Sequence, residues 1–138
     1  MTTRPIVLDT NIVLDVFVFN DAAALPVRQA LEAGELDWLA TQAMRDELAR
    51  VLAYPQIVPR LAFYQLSADD VLAAFDRHAR LQEVAGKAGV TCSDPDDQKF
   101  IDLAVAHRCT LLSKDNEVLR MRKRLAQLQV TATACLSA

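Results

Sequence analysis

Aspartates follow three short apolar stretches of this chain, at the points where buried strands would end. They are Asp9, Asp94, Asp96, Asp97 and Asp115. In an open parallel sheet, ligands bind beyond the carboxyl ends of the strands, where loops and helix N-termini converge. We therefore expect acids from three separate parts of the sequence to meet along one edge of a sheet.

Glu47 contributes a further acid from a predicted helix. It lies between Met44 and Val51 at helical spacing, at the border of the apolar stripe rather than opposite it. A carboxylate in this position is expected to face other groups of the fold. The alternative is a simple ion pair with Arg45 or Arg50 on the same helix.

Such a group of acids predicts a site for a divalent cation. Two like charges roughly 4 Å apart repel by about 4 kcal/mol at an effective dielectric of 20, and a cation removes that cost. Mg²⁺ and Mn²⁺ prefer oxygen ligands, so a pocket of Asp and Glu without Cys or His favours them over zinc. A bound ion of this kind can activate water and stabilise a phosphate, which is the chemistry of phosphodiester hydrolysis.

Most of the aspartates also have a purely structural alternative. Asp94 could serve as a helix N-cap, and Asp96 and Asp97 as first-turn acids stabilised by the helix dipole. Asp115 could likewise belong to a helix start. Asp9 is harder to explain in this way, because it interrupts an apolar strand at the end where ligands bind.

Alternating strands and helices are predicted from the hydrophobic pattern. The predicted strands are residues 6–8, 37–40, 90–92 and 110–113, and residues 129–135 could add an edge strand. The predicted helices cover residues 12–19, 22–33, about 41–53, 67 to beyond 81, a segment starting at 94–95, and about 116–125. Residues 55–66 are predicted to be the least regular segment. This alternation implies right-handed crossovers and an α/β fold with a parallel sheet covered on both faces.

Length and composition predict one compact domain over residues 1–138, with 52% hydrophobic residues. No apolar run approaches the roughly 20 residues that span a bilayer, and Asp9 comes before any signal-peptide core could form. We therefore expect a cytoplasmic protein with no membrane association. Cys92, Cys109 and Cys135 form no close pair, so they are expected to be buried thiols rather than disulfides or zinc ligands.

The net charge of -3 does not favour long-range attraction to a nucleic acid. Contact with a polyanion would therefore need a local basic patch, and the densest cluster of basic residues is Arg120, Arg122, Lys123 and Arg124. The alternative for this cluster is a solvated helix face, with cations favourably placed near the helix C-terminus.

Four segments of the chain, in order, resemble the PIN domain family of nucleases. They are V-L-D-T-N at residues 7–11, the helical acid Glu47, D-P-D-D-Q-K-F-I-D-L-A at residues 94–104, and L-L-S-K-D at residues 111–115. The set covers nearly the whole chain. Its D-P-D-D-x-K-F block particularly resembles bacterial members classed as toxin components of toxin–antitoxin pairs.

The resemblance implies a three-layer α/β/α sandwich with four or five parallel strands, Mg²⁺ or Mn²⁺ as the cofactor, and cleavage of RNA. By motif position, it implies that the catalytic acids are Asp9, Glu47, Asp97 and Asp115, with the metal held by Asp9, Asp97 and Asp115. The implied supporting residues are Thr10, Asn11, Asp94, Ser113 and Glu117. The choice among Asp94, Asp96 and Asp97 stays open, with Asp94 preferred as the auxiliary acid.

The resemblance also implies RNA as substrate and a cognate antitoxin as protein partner, while a homodimer is left open. An alternative is a non-catalytic RNA-binding or protein-interaction domain that retains the fold. A phosphoacceptor domain is disfavoured, because that chemistry expects an acidic pair before the acceptor or an Asp two residues beyond it, and both are missing around Asp9, which is followed by Thr10 and Asn11. A nucleotide-binding loop is also disfavoured, because the chain has three glycines, Gly34, Gly86 and Gly89, and they form no Gly-rich loop.

Overall fold

A five-stranded sheet lies at the centre of the computed structural model, which describes residues 3–136. The strands are β1 (Arg4–Leu8), β2 (Leu36–Ala40), β3 (Ala79–Leu81), β4 (Thr110–Leu112) and β5 (Thr131–Thr133). All neighbouring strands are parallel, and their spatial order is β3-β2-β1-β4-β5. Helices flank this sheet, so the predicted α/β sandwich is confirmed, with five strands.

Helices occupy most of the connections between strands. They are α1 (Thr10–Phe17), α2 (Leu25–Glu32), α3 (Gln42–Leu52), α4 (Val58–Phe63), α5 (Ala68–His78), α6 (Gln98–His107), α7 (Asn116–Leu119) and α8 (Arg122–Gln127), with 3-10 helices at Ala22–Ala24 and Pro95–Asp97. In residues 3–136, no single helix is long and apolar enough to cross a bilayer. The helical segments 10–17 and 22–32 are long and apolar enough when they are taken together, but the chain bends by 101° between them.

The last three residues of the central strand β1 are deeply buried. Its residues Ile6, Val7 and Leu8 are at most 2% exposed, as expected for a strand covered on both faces. The ladder continues past the strand, because the Asp9 N–H donates to the Leu112 carbonyl at 3.1 Å. Asp9 is therefore fixed at the carboxyl end of β1, beside the end of β4.

The third strand was placed wrongly by the sequence prediction. It is Ala79–Leu81 rather than residues 90–92, and α5 ends at His78. In the 90–92 segment, the backbone groups bond to side chains instead of to a neighbouring strand. Gln98 accepts from the Cys92 N–H at 2.7 Å and donates to the Val90 carbonyl at 3.1 Å.

Two further segments differ from the prediction. The 55–66 segment contains α4, and Pro59 is compatible with it because it stands in the first turn, where a proline costs no helix hydrogen bond. The predicted final helix is divided into α7 and α8. Cys92 and Cys109 are buried as expected, whereas Cys135 is exposed.

The predicted starts of α3 and α5 agree with the structure, because a side-chain cap determines each of them, whereas α1 begins at Thr10, two residues before its predicted start. Thr41 accepts from the Met44 N–H at the start of α3, and Ser67 forms a capping box with Asp70 at the start of α5. At the end of α2, Gly34 has φ +73° and lies in a Schellman turn, in which the Glu35 N–H reaches the Ala30 carbonyl at 2.9 Å.

Gly34→Ala is expected to lower the free energy of unfolding by about 1–2 kcal/mol, because an L-residue is strained in the left-handed region. Gly86→Ala is the matched control, since Gly86 has no such backbone and no atom within 4 Å of an added Cβ. Urea unfolding of both variants measures the difference. An equal effect of the two substitutions would contradict the turn geometry.

Candidate metal centre in an acidic cleft

An acidic cleft of about 190 Å³ lies where β1 and β4 end. Its lining residues are Asp9, Thr10, Asn11, Glu47, Val51, Asp94, Asp97, Phe100 and Asp115. The fold therefore brings together all four acids that the sequence predicted as catalytic, together with Asp94. These acids come from the end of β1, from α3, from the turn before α6 and from the loop after β4.

Asp9 is held by hydrogen bonds to both of its carboxylate oxygens. As the N-cap of α1, it accepts from the Ile12 N–H at 3.0 Å, and it accepts from the Ser113 hydroxyl at 2.5 Å. Only 4% of Asp9 is exposed. Burial raises the pKa of Asp9 above its ordinary value, against the lowering effect of the hydrogen bonds from Ser113 and Ile12.

Ser113 connects two of the acids. Its hydroxyl donates to Asp9 and also accepts from the Asp115 N–H at 3.1 Å. The next residue, Lys114, forms an ion pair with the buried Asp15 of α1. The loop that carries Ser113 and Asp115 is thus attached to α1 at two places.

Three carboxylates form the closest group in the cleft. Asp94, Asp97 and Asp115 each offer an oxygen, and these oxygens lie within 4.8 Å of one another. Asp94 also caps the 3-10 helix and Asp115 also caps α7, so their structural roles and the acidic group coexist. Asp97 differs, because its buried Oδ2 has no hydrogen-bond partner within residues 3–136.

This unpartnered oxygen gives Asp97 an unusual protonation equilibrium. Burial, the close approach of the Asp115 carboxyl, and the charges of Asp115, Asp94 and Asp9 raise the pKa of Asp97 to about 7. Two ionised carboxylates cannot donate to each other, so Asp97 needs either a proton or a cation. Asp94 was expected to be an auxiliary acid, yet it belongs to the close group, whereas Asp9 lines the cleft outside it.

Glu47 is satisfied by residues distant in sequence. Its Oε2 accepts from the Thr10 hydroxyl at 2.5 Å, and its Oε1 accepts from Lys99 Nζ at 3.0 Å. The alternative that Glu47 pairs with Arg45 or Arg50 is wrong, since the ion-pair partner of Glu47 is Lys99 and Arg45 pairs with Asp76 at 2.8 Å. Lys99 was missed by the sequence analysis, although it lies within the D-P-D-D-Q-K-F motif.

Some predicted site residues lie at the margin or outside. Asn11 lines the cleft but is exposed, and Asp96 is exposed and does not line it. Glu117 also lies outside the lining and pairs with Arg120 at 3.4 Å. The predicted substrate-binding residues are all exposed and none lines the cleft; they are Arg120, Arg122, Lys123 and Arg124.

Comparison with known families adds an independent finding. A family model described as the PIN domain matches residues 5–117, which is most of the chain. The matched region contains every acid that lines the cleft. No curated protein matches the chain.

Asp97→Asn is expected to raise the melting temperature in EDTA at pH 8. The wild-type carboxyl has a folded pKa of about 7 and an unfolded value of 3.8. Its ionisation therefore lowers the stability of the folded state fully above about pH 7, and this loss of stability is absent below pH 3.8. The advantage of the variant should therefore grow as the pH rises through this window. Mg²⁺ at ten times its dissociation constant should stabilise the wild type by about 1.4 kcal/mol and the variant by less.

Asp96→Asn is the matched control for this experiment, because Asp96 is the exposed neighbour in the same acidic block. It should change neither the pH dependence nor the response to Mg²⁺. A lower metal-free melting temperature for Asp97→Asn, with an unchanged Mg²⁺ response, would show that Asp97 acts only as a first-turn acid.

Proposed function

The chain belongs to the PIN domain family, a family of nucleases, and we propose that it is a divalent-metal-dependent endoribonuclease. The observation that carries the metal dependence is the buried Asp97 Oδ2, which has no donor within residues 3–136 and lies beside Asp94 and Asp115. An acidic oxygen withdrawn from solvent without a donor is costly unless a cation or proton reaches it.

The donor set favours Mg²⁺ or Mn²⁺. The lining residues offer carboxylate and hydroxyl oxygens and neither Cys nor His, which suits a hard cation that retains waters. Asp94, Asp97 and Asp115 would hold the ion, and Asp9 would join them through the lone pairs left free by Ser113 and Ile12. A divalent ion supplies an activated water and stabilises the charge that develops on a phosphate.

The chain's own groups orient the acids for this chemistry. The Ser113 hydroxyl fixes the Asp9 carboxylate, and the Thr10 hydroxyl fixes Glu47 across the cleft. Glu47 lies outside the close group of acids and is therefore suited to orient a water or the substrate rather than to bind the ion directly. Arg120, Arg122, Lys123 and Arg124 would contribute, at most, contacts to RNA beyond the cleft.

We further propose that the protein is the cytoplasmic toxin of a toxin–antitoxin pair. Support comes from the D-P-D-D-x-K-F block, which resembles bacterial members of that class. One acid of the cleft, Glu47, already pairs with an ammonium group, that of Lys99. An Arg or Lys of an antitoxin could in the same way occupy the acidic group and exclude the metal.

Asp9→Asn is expected to remove most Mg²⁺-dependent RNA cleavage while the circular dichroism spectrum stays unchanged. Asn is also a good N-cap, so α1 should be retained. Asp46→Asn is the control, because Asp46 is an exposed acid of α3 that does not line the cleft. Undiminished cleavage by Asp9→Asn would reject this site, and RNA binding without cleavage by the wild type would favour the non-catalytic alternative.

Expression of the chain together with its neighbouring genes should yield a small co-purifying protein that inhibits cleavage. The inhibition should weaken as Mg²⁺ is increased, because the ion and the basic side chain compete for the same acids. If no neighbouring product binds or inhibits the protein, the toxin proposal fails while the nuclease proposal stands.

A further inference from the structure

Lys99 occupies an unusual position for a lysine. It is the second residue of α6, and its Nζ donates to Glu47 Oε1 at 3.0 Å and to the Asp96 carbonyl at 2.6 Å. The same atom lies 4.9 Å from the centroid of the Phe100 ring. Glu47 and Phe100 line the cleft whereas Lys99 itself does not, so the ammonium group lies at the edge of the cleft, in contact with two of its lining side chains.

Lys99 is held there rather than solvated. Only 28% of its side chain and 17% of the Glu47 side chain are exposed. Lysine usually keeps its flexible side chain in water, and an exposed pair would contribute little. Within residues 3–136, Lys99 is also the one basic residue that forms an ion pair with an acid lining the cleft.

The hydrogen bonds of Lys99 leave part of its donor capacity unused. An ammonium group has three N–H donors, and two are taken by Glu47 and the Asp96 carbonyl. The third has no hydrogen-bond acceptor among the described residues. A phosphate oxygen is a much stronger partner for it than the face of the Phe100 ring.

The negative charge of the cleft is a reason for a positively charged donor to contact the substrate. The lining carries five acids, which repel a polyanion that enters the cleft, and Lys99 is the basic residue that pairs with one of them. A metal ion on Asp94, Asp97 and Asp115 would relieve the repulsion at that group only. Lys99 places a second positive charge on the Glu47 side.

We propose that Lys99 is a substrate-binding residue that donates its third N–H to a non-bridging oxygen of an RNA phosphate seated in the cleft, with Glu47 and the Asp96 carbonyl holding the ammonium in place. This inference rests on the proposed function, because it takes RNA as the substrate. It assigns Glu47 a second role, that of positioning the lysine.

A simpler role for Lys99 would be to neutralise Glu47 without contact to RNA. The two roles differ in the salt dependence of RNA binding. A phosphate contact to a single strand contributes about 0.7 to the slope of log Kobs against log salt concentration. Neutralising a carboxylate within the protein contributes nothing directly to that slope.

The test measures binding of a short single-stranded RNA at several KCl concentrations with fixed Mg²⁺, in the cleavage-deficient Asp9→Asn background. Lys99→Met should weaken binding to all sequences alike and reduce the magnitude of the slope by about 0.7. Lys99→Gln, which keeps a donor for Glu47 without the charge, should show the same loss. Lys99→Arg, which keeps the charge and the donor, should retain the slope.

Two further variants separate the roles. Arg80→Gln removes a positive charge that pairs with Asp37 away from the cleft, so it should leave the slope unchanged. Adding Glu47→Gln to Lys99→Met restores the internal charge balance, and the double variant should nevertheless keep the reduced slope. Thermal melts confirm that all variants are folded.

The outcomes distinguish this inference from the function on which it rests. An unchanged slope in Lys99→Met and Lys99→Gln, or recovery of parental affinity in the double variant, overturns the role of Lys99 and leaves a cleaving nuclease intact. If the parent binds no RNA and the wild type cleaves none, both the nuclease proposal and this inference fail.

Discussion

Repulsion among carboxylates held at one sheet edge is the constraint that organises this protein. Because β1 and β4 are adjacent and parallel, Asp9 and Asp115, which follow these strands, lie at the same edge of the sheet. The turn before α6 places further acids at this edge. Four of the five acids accept hydrogen bonds within the protein: Asp9 from Ser113, Glu47 from Thr10 and Lys99, Asp94 from the Asp96 N–H, and Asp115 from the Glu117 N–H. The buried carboxylate oxygen that lacks a hydrogen-bond donor within residues 3–136 is Oδ2 of Asp97.

The sheet could be predicted from sequence where burial is complete. The strands β1, β2 and β4 each contain a short buried apolar run, at residues 6–8, 38–40 and 111–112, as strands covered on both faces require. The strand β3 could not be found, because its three residues, Ala79–Leu81, are largely exposed and continue the helical spacing of α5. The apolar segment 90–92 misled the prediction, because its backbone bonds to Gln98, which no local pattern reveals.

The sequence predicted which acids form the site, but not which side chains bind to them. The order of the motifs identified the four acids that the fold brings together, although Asp94 and Asp97 reach the cleft through a 3-10 turn rather than from a strand end. The pairing of Lys99 with Glu47 spans 52 residues and depends on how α3 lies beside α6. Local spacing offered Arg45 and Arg50 as the alternative partners of Glu47, and the tertiary fold directs Arg45 to Asp76.

The bond between Asp9 and Ser113 joins residues 104 positions apart, the former near the beginning of the described chain and the latter near its end. During synthesis, the central strand β1 likewise has no β4 partner until residues 110–112 have been made. Non-local parallel pairings of this kind form slowly, and chains fold as they emerge from the ribosome. Unfinished chains therefore lack the assembled cleft, and whatever chemistry it performs begins only after nearly the whole domain has been synthesised.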